Sequence, residues 1–317
     1  MLVAALPVLA ACTGSSTGSG EPSGAATTVP TTVSPGPTST PPANNNPATT
    51  VTPIAAAPTT PTTTTPPTTT TPATTVVAAA DGAGRPAWLG TRVLPVRPDG
   101  YGEIQPTPPE LVDRRLSPPP SELPPPVGVT YQAEVVPVPP DVVARSTWRE
   151  GCPVALEELR YVTLTYWGFD GRPHTGELIV NSTAADAMVD VFERLYDARF
   201  PIEEMRVVRA DELDAPPTGD GNNTTVFSCR PATGSTSSWS QHAYGLAIDI
   251  NPFHNPYLRG DVVLPELASA YLDRDAVRPG MIVEGDVAVQ AFDDMGWGWG
   301  GRWNSLKDWQ HFSSNGR

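Results

Sequence analysis

Large apolar side chains are distributed unevenly along the chain, and the elements follow them. From residue 12 to about 80 the sequence is Thr, Pro, Ala, Ser and Gly with almost nothing to bury, so it should stay extended, disordered and solvated. If polyproline-like throughout, this stretch reaches on the order of 200 Å at roughly 3 Å per residue. A core-forming pattern begins near Arg145 and continues to residue 317. Arg160 to Trp167 alternates as a strand, Gly168-Phe169-Asp170-Gly171 turns it, and His174 to Val180 returns, which predicts a β-hairpin. Asn181-Ser182-Thr183 then predicts a helix cap, with Asp186 placed to complete a capping box. Met188, Val191, Phe192 and Leu195 recur at three and four, giving that helix one apolar face. Met205 to Val208 reads as a further strand, and Thr225 to Arg230 leads toward Leu246 to Ile250, where alternation projects Ala247 and Asp249 to one side. Asp286 caps a short helix to Met295 that runs into Gly296-Trp297-Gly298-Trp299-Gly300-Gly301-Arg302-Trp303. Gly alternating with Trp brings aromatic faces close to backbone, as packing or as a groove wall. No internal repeat is evident. Strands and helices in non-alternating order predict an α+β domain over 145–317, a small antiparallel sheet with flanking helices behind a disordered tether.

Residues 81–144 are intermediate. Prolines persist, but Trp88, Leu94, Leu111, Leu116 and Tyr131 are more than a flexible linker needs. This segment is expected to lie against the domain as irregular extended chain, the alternative being a second disordered linker.

Composition narrows the class. The 317 residues include 39 prolines and carry a formal net charge of −14, with no charged residue between Glu21 and Asp81. So acidic a chain is a poor partner for nucleic acid. No stretch approaches the roughly 20 apolar residues of a membrane-spanning helix. The short apolar run Leu2 to Ala11 ends in Leu9-Ala10-Ala11-Cys12, which resembles a bacterial lipoprotein signal. That resemblance implies removal of residues 1–11 and lipidation of Cys12, hence an extracytoplasmic protein anchored to the cell membrane and facing the wall. An ordinary secretion signal with a chance cysteine is the alternative. No Lys or Arg precedes the apolar run, which suggests a true start further upstream. Cys152 and Cys229 then form an even pair, for which a disulfide is the default outside the cytoplasm. Such a loop is worth about 4 to 5 kcal/mol in the chain-entropy model. Two free thiols or zinc ligands are the alternative reading.

The chemistry concentrates in Ser240-Gln241-His242-Ala243-Tyr244-Gly245-Leu246-Ala247-Ile248-Asp249 and in Asp308-Trp309-Gln310-His311. Two imidazoles and a carboxylate, His242, Asp249 and His311, can hold Zn2+ and leave a fourth position open. Asp308 could then take a proton from the water that such an ion activates. Gly245 and Ala247 let the chain run past the ion without filling the site, and Ser240 is placed to orient a ligand by hydrogen bonding. Asp308 and His311 differ by three, which in a regular strand puts them on opposite faces, so the backbone should bend at Trp309-Gln310. Of the other histidines, His174 reads as a structural strand residue and His254 as part of a loop.

With these motifs in this order, about Arg145 to Phe312 resembles the zinc peptidase family that contains D-alanyl-D-alanine carboxypeptidases of the vancomycin-resistance type and L-alanyl-D-glutamate endopeptidases. The resemblance implies the Hedgehog/DD-peptidase fold, zinc on His242, Asp249 and His311, and Asp308 as general base. It further implies Arg230 as the arginine that binds the scissile carbonyl or a substrate carboxylate. Carboxypeptidases of the family usually carry Glu where Asp308 stands, whereas Asp is more typical of the endopeptidases. The implied activity is hydrolysis of a stem-peptide bond in peptidoglycan. One alternative is a catalytically silent wall-binding module that keeps zinc for structure. Another makes the Trp-rich end, through Trp297 and Trp299, a carbohydrate-binding surface of the same enzyme.

Overall fold

The computed structural model describes residues 84–317; the leader, Cys12 and the Thr/Pro-rich stretch lie outside the described residues. The largest sheet is antiparallel in the order β1-β2-β3, formed by Ala133–Pro137, Leu159–Trp167 and Pro173–Asn181. β2 and β3 pair in register from Leu159 opposite Asn181 to Trp167 opposite Pro173. Alternation gives this hairpin two apolar faces. Val162, Leu164, Leu178 and Val180 pack in one cluster, whereas Leu159, Tyr161 and Ile179 pack with Val142, Val207 and Phe227 in another. Val142 belongs to a short helix, α1 (Pro140–Arg145), which connects β1 to the hairpin. Because β1 is a strand of this sheet, the folded unit takes in chain upstream of Arg145.

Helix α2 (Ala185–Asp197) buries Met188, Val191, Phe192 and Leu195, the face that its spacing predicts. The expected cap is not formed: no side chain caps Ala184, and the Asn181 side-chain Oδ1 instead accepts from the backbone N–H and hydroxyl of Thr183. Asn181 closes the turn before the helix, and its amide donates to the Tyr244 carbonyl at 3.0 Å. The strand expected at 205–208 is shorter, a parallel pairing of β4 (Glu204–Met205) with β5 (Asn223–Thr224).

Two further antiparallel sheets build the C-terminal half. One has the order β6-β11-β9, from Ala247–Asp249, His311–Ser313 and Gly298–Trp299; the other has the order β10-β7-β8, from Lys307–Asp308, Tyr257–Arg259 and Val262–Leu264. The β7–β8 hairpin was not expected, although Gly260-Asp261 between two apolar runs is an ordinary turn signal. Helix α3 (Val287–Met295) packs on α2 and is capped as predicted, Asp286 accepting from the Val289 N–H at 2.9 Å. The class is α+β, with several small antiparallel sheets, one short parallel pairing and few helices.

The proline-rich segment 84–117 lies across the domain. Leu94, Leu111 and Leu116 are buried with Phe253, Leu267 and Tyr271, and the Leu94 N–H donates to the Pro217 carbonyl at 2.8 Å. Arg114 and Glu203, both buried, form an ion pair at 2.7 Å. Cys152 and Cys229 are joined in a disulfide with Cα atoms 5.9 Å apart, which rules out their reading as free thiols or zinc ligands. No helix among the described residues is long and apolar enough to cross a membrane.

Candidate metal centre

His242 sits in a single 3-10 turn, Gln241–Tyr244. Ser240 caps that turn, its hydroxyl accepting from the His242 backbone N–H at 3.3 Å, so it orients the turn and not the imidazole. The turn ends at Gly245 with φ of +68°, where a Cβ would lie 2.7 Å from the Asn181 nitrogen; only glycine fits. The chain then enters β6, whose antiparallel pairing sets Asp249 directly opposite His311 on β11. Opposed residues in such a pair project to the same face, and that register brings two ligands from distant sequence together.

The tautomers are legible from the partners. His242 Nδ1 lies 2.6 Å from the Val226 carbonyl and donates to it, leaving Nε2 as a lone pair. His311 Nε2 faces the Arg317 carbonyl at 3.4 Å, leaving Nδ1 as a lone pair. These two ring nitrogens point at one another across 3.3 Å and reach the Asp249 carboxylate at 3.2 and 3.0 Å. Two lone pairs and a carboxylate converging in this way repel unless a cation lies among them. All three donors come within 4.8 Å of one another. An N2O set with each imidazole held by a backbone carbonyl fits a catalytic zinc site. Burial would raise the Asp249 carboxyl, and positive charge at the two imidazoles, the place a bound cation would take, outweighs burial and holds it well below the usual carboxylate range.

Asp308 ends β10, the chain turns at Trp309-Gln310, and His311 begins β11 in a different sheet. The parity conflict is resolved by that turn. Gly300 allows the Asp308 backbone to pass, since a Cβ there would lie 2.5 Å from the Asp308 carbonyl oxygen. Asp308 Oδ1 is buried with no hydrogen-bond partner among the described residues. Burial pushes this carboxyl up to about 7, with His311 opposing and Asp249 adding to the rise. A divalent cation nearby would draw it down again.

Arg230, His242, Asp249, Asp308 and His311 all line one cleft of about 600 Å³. Arg230 donates to the Pro231 carbonyl at 3.2 Å and has no carboxylate partner among the described residues, and its charge is felt at Asp308. The cleft also contains Trp303, from the Gly/Trp string read as packing or a groove wall, and Trp239, Tyr257, Arg259 and Glu266, none of which the sequence singled out. Of these only Arg259 had a signal, its place beside the Gly260-Asp261 turn.

Residues 233–314 match the peptidase M15 family model described as D-alanyl-D-alanine carboxypeptidase. No curated protein and no solved structure matches the chain. The matched segment contains all three candidate ligands and Asp308, and the zinc that this family uses agrees with the donor set. Arg230 and Cys229 lie just upstream of it.

Of the remaining sequence expectations, the Trp-rich surface is overturned, while His174 in its strand and His254 in its loop stand as read. Trp297 and Trp299 are each 5% exposed and stack with Phe292 and Phe312, so they are core and cannot form a carbohydrate-binding surface. His174 pairs with Asp170 at 3.0 Å and stacks on Tyr166, outside the metal group. His254 lies in the loop before β7, as expected, but is fully buried there, and its Nε2 donates to the Arg114 carbonyl at 2.9 Å.

Proposed function

We propose that the protein is a zinc-dependent peptidase that hydrolyses stem-peptide bonds of bacterial peptidoglycan, as a D-Ala-D-Ala carboxypeptidase or an L-Ala-D-Glu endopeptidase. The observation that carries this reading is the convergence of His242, Asp249 and His311 in one cleft with a buried, unpartnered Asp308 oxygen. A zinc ion on these ligands supplies Lewis-acid chemistry, making water acidic and a carbonyl electrophilic at neutral pH. Asp308 Oδ1 accepts the proton of the attacking water as the new C–O bond forms. Arg230 holds the scissile carbonyl or a neighbouring substrate carboxylate and balances the charge that develops on oxygen. Asp308 then returns the proton to the leaving amine as the C–N bond breaks. The family description favours the carboxypeptidase, whereas aspartate at the base position resembles the endopeptidases.

The disulfide favours an oxidising, extracytoplasmic location. Lipidation of Cys12 and the proline-rich tether would hold the catalytic unit at the membrane within reach of the wall. Incubation with defined muropeptides and mass analysis tests the activity: loss of terminal D-Ala identifies a carboxypeptidase, separation of L-Ala from D-Glu an endopeptidase. Asp308→Ala is expected to abolish turnover while zinc content stays near one per chain, and undiminished hydrolysis would remove Asp308 from its role.

A further inference from the structure

One carboxylate of the cleft takes no part in the proposed chemistry. Glu266 follows β8 and lines the same cavity as Arg230, Asp308 and His311. It is held from behind by the proline-rich segment: the Gly102 N–H donates to its Oε1 at 2.8 Å and the Gln105 N–H to its backbone carbonyl at 3.4 Å. The residue is only 5% exposed. Its second oxygen, Oε2, has no hydrogen-bond partner and no Lys or Arg pairs with it among the described residues, yet it is not sealed from solvent. A charged oxygen fixed in a largely desolvated wall with one side left open is costly unless a cation arrives to pair with it. Asp249 and Asp308, the other carboxylates of the cleft, are committed to the metal and to the reacting water. Arg230 and Arg259 lack ion-pair partners among the described residues and suit anionic parts of a substrate.

We infer that Glu266 is a specificity-determining residue, receiving a primary ammonium of the substrate peptide, and that segment 84–117 positions it. This rests on the peptidase reading. A side-chain amine of a diamino-acid residue and a free peptide N-terminus share this chemistry.

Three stem-like peptides separate the sources: an N-acetylated peptide with lysine, its norleucine counterpart, and the norleucine peptide with a free N-terminus. The zinc-loaded full chain is examined for kcat/KM and, by calorimetry, for Kd. An amine-bearing peptide should be preferred over the N-acetylated norleucine peptide by about 10-fold or more, as expected for a charge-assisted hydrogen bond. In Glu266→Gln, which keeps an acceptor for Gly102, the ratio should fall toward one with zinc content and melting temperature retained. The lysine or the free-amine arm, whichever shows the preference, identifies the amine. No amine preference in the wild-type protein, or an unchanged ratio in Glu266→Gln, overturns the inference. Absence of hydrolysis with every peptide instead counts against the peptidase reading, while the Kd ratios still decide the role of Glu266.

Discussion

At position 245 a methyl group has no room, and the consequence reaches the metal. An alanine there would hold a left-handed backbone and press on the Asn181 nitrogen at the end of β3. Gly245→Ala is expected to cost roughly 1–3 kcal/mol. Because the same turn carries His242, zinc affinity should fall with it. Denaturant unfolding and chelator competition measure the two effects, and lost stability with unchanged zinc affinity would detach the strain from His242. The need for small residues between His242 and Asp249 was readable from the string itself. What presses on them was not, because that partner is backbone from a distant hairpin. The same reason hid what orients His242: its ring is set by the Val226 carbonyl, and a carbonyl has no sequence signature. Ser240, the side chain with a visible signature, turned out to serve the backbone.

Among elements, periodicity announced the β2–β3 hairpin, the apolar face of α2 and the cap of α3, because each depends on neighbours in sequence. Parity also forced the turn at Trp309-Gln310. The helix cap at Asn181 failed for a competing local bond, since the side chain was engaged by Thr183 one turn too early. The docking of 84–117 was only half visible: apolar residues flagged it, but its anchor is polar. Arg114 donates to both oxygens of Glu203 at 2.7 and 2.8 Å, Arg85 reaches the same carboxylate at 3.0 Å, and the Tyr271 hydroxyl accepts from the Arg114 N–H. Removing Arg114 leaves Glu203 charged in the interior with a more exposed partner. Arg114→Met should therefore destabilise the domain by about 3–5 kcal/mol. Limited proteolysis should show new cleavage within 84–117, and a variant as resistant as the wild type would mean that the apolar contacts alone hold the segment. Adding Glu203→Gln should recover part of the loss, since the uncompensated charge goes with it.

For the whole molecule, His254 is where the proline-rich segment, the β2–β3 turn and the loop before β7 meet. Its ring stacks on Phe169 at 4.8 Å, meets Tyr271 edge-on, donates through Nε2 to Arg114, and accepts through Nδ1 from the Asn222 amide at 3.1 Å. The neutral tautomer satisfies both nitrogens. Protonating Nδ1 would set its N–H against the nearer Asn222 amide N–H at 3.1 Å, leaving as acceptor only the Asn222 oxygen at 3.4 Å, which already takes the Phe253 N–H. A flip is opposed because the Asn222 nitrogen also serves Glu203. Burial accordingly pushes the His254 imidazole down to about 4, against the pull of Glu203. A folded-state pKa below the unfolded value of about 6.5 means that the unfolded chain binds the extra proton first. Its stabilising effect is thus complete above pH 6.5 and is lost as pH falls toward 4. Glu203, held below its ordinary range despite burial, adds a loss of the same sign at lower pH. Titrating groups not coupled to His254 cancel in a comparison of wild type with His254→Gln, and Glu203, which is coupled but held below its ordinary range, contributes mainly at lower pH. The stability advantage of the wild type over that variant should shrink by on the order of 2 kcal/mol between pH 7 and pH 4.5. Urea midpoints across that range measure the difference. An advantage independent of pH would show that His254 accepts a proton in the folded protein as readily as in the unfolded chain, and the junction would then have to tolerate a charge its hydrogen bonds are built to exclude.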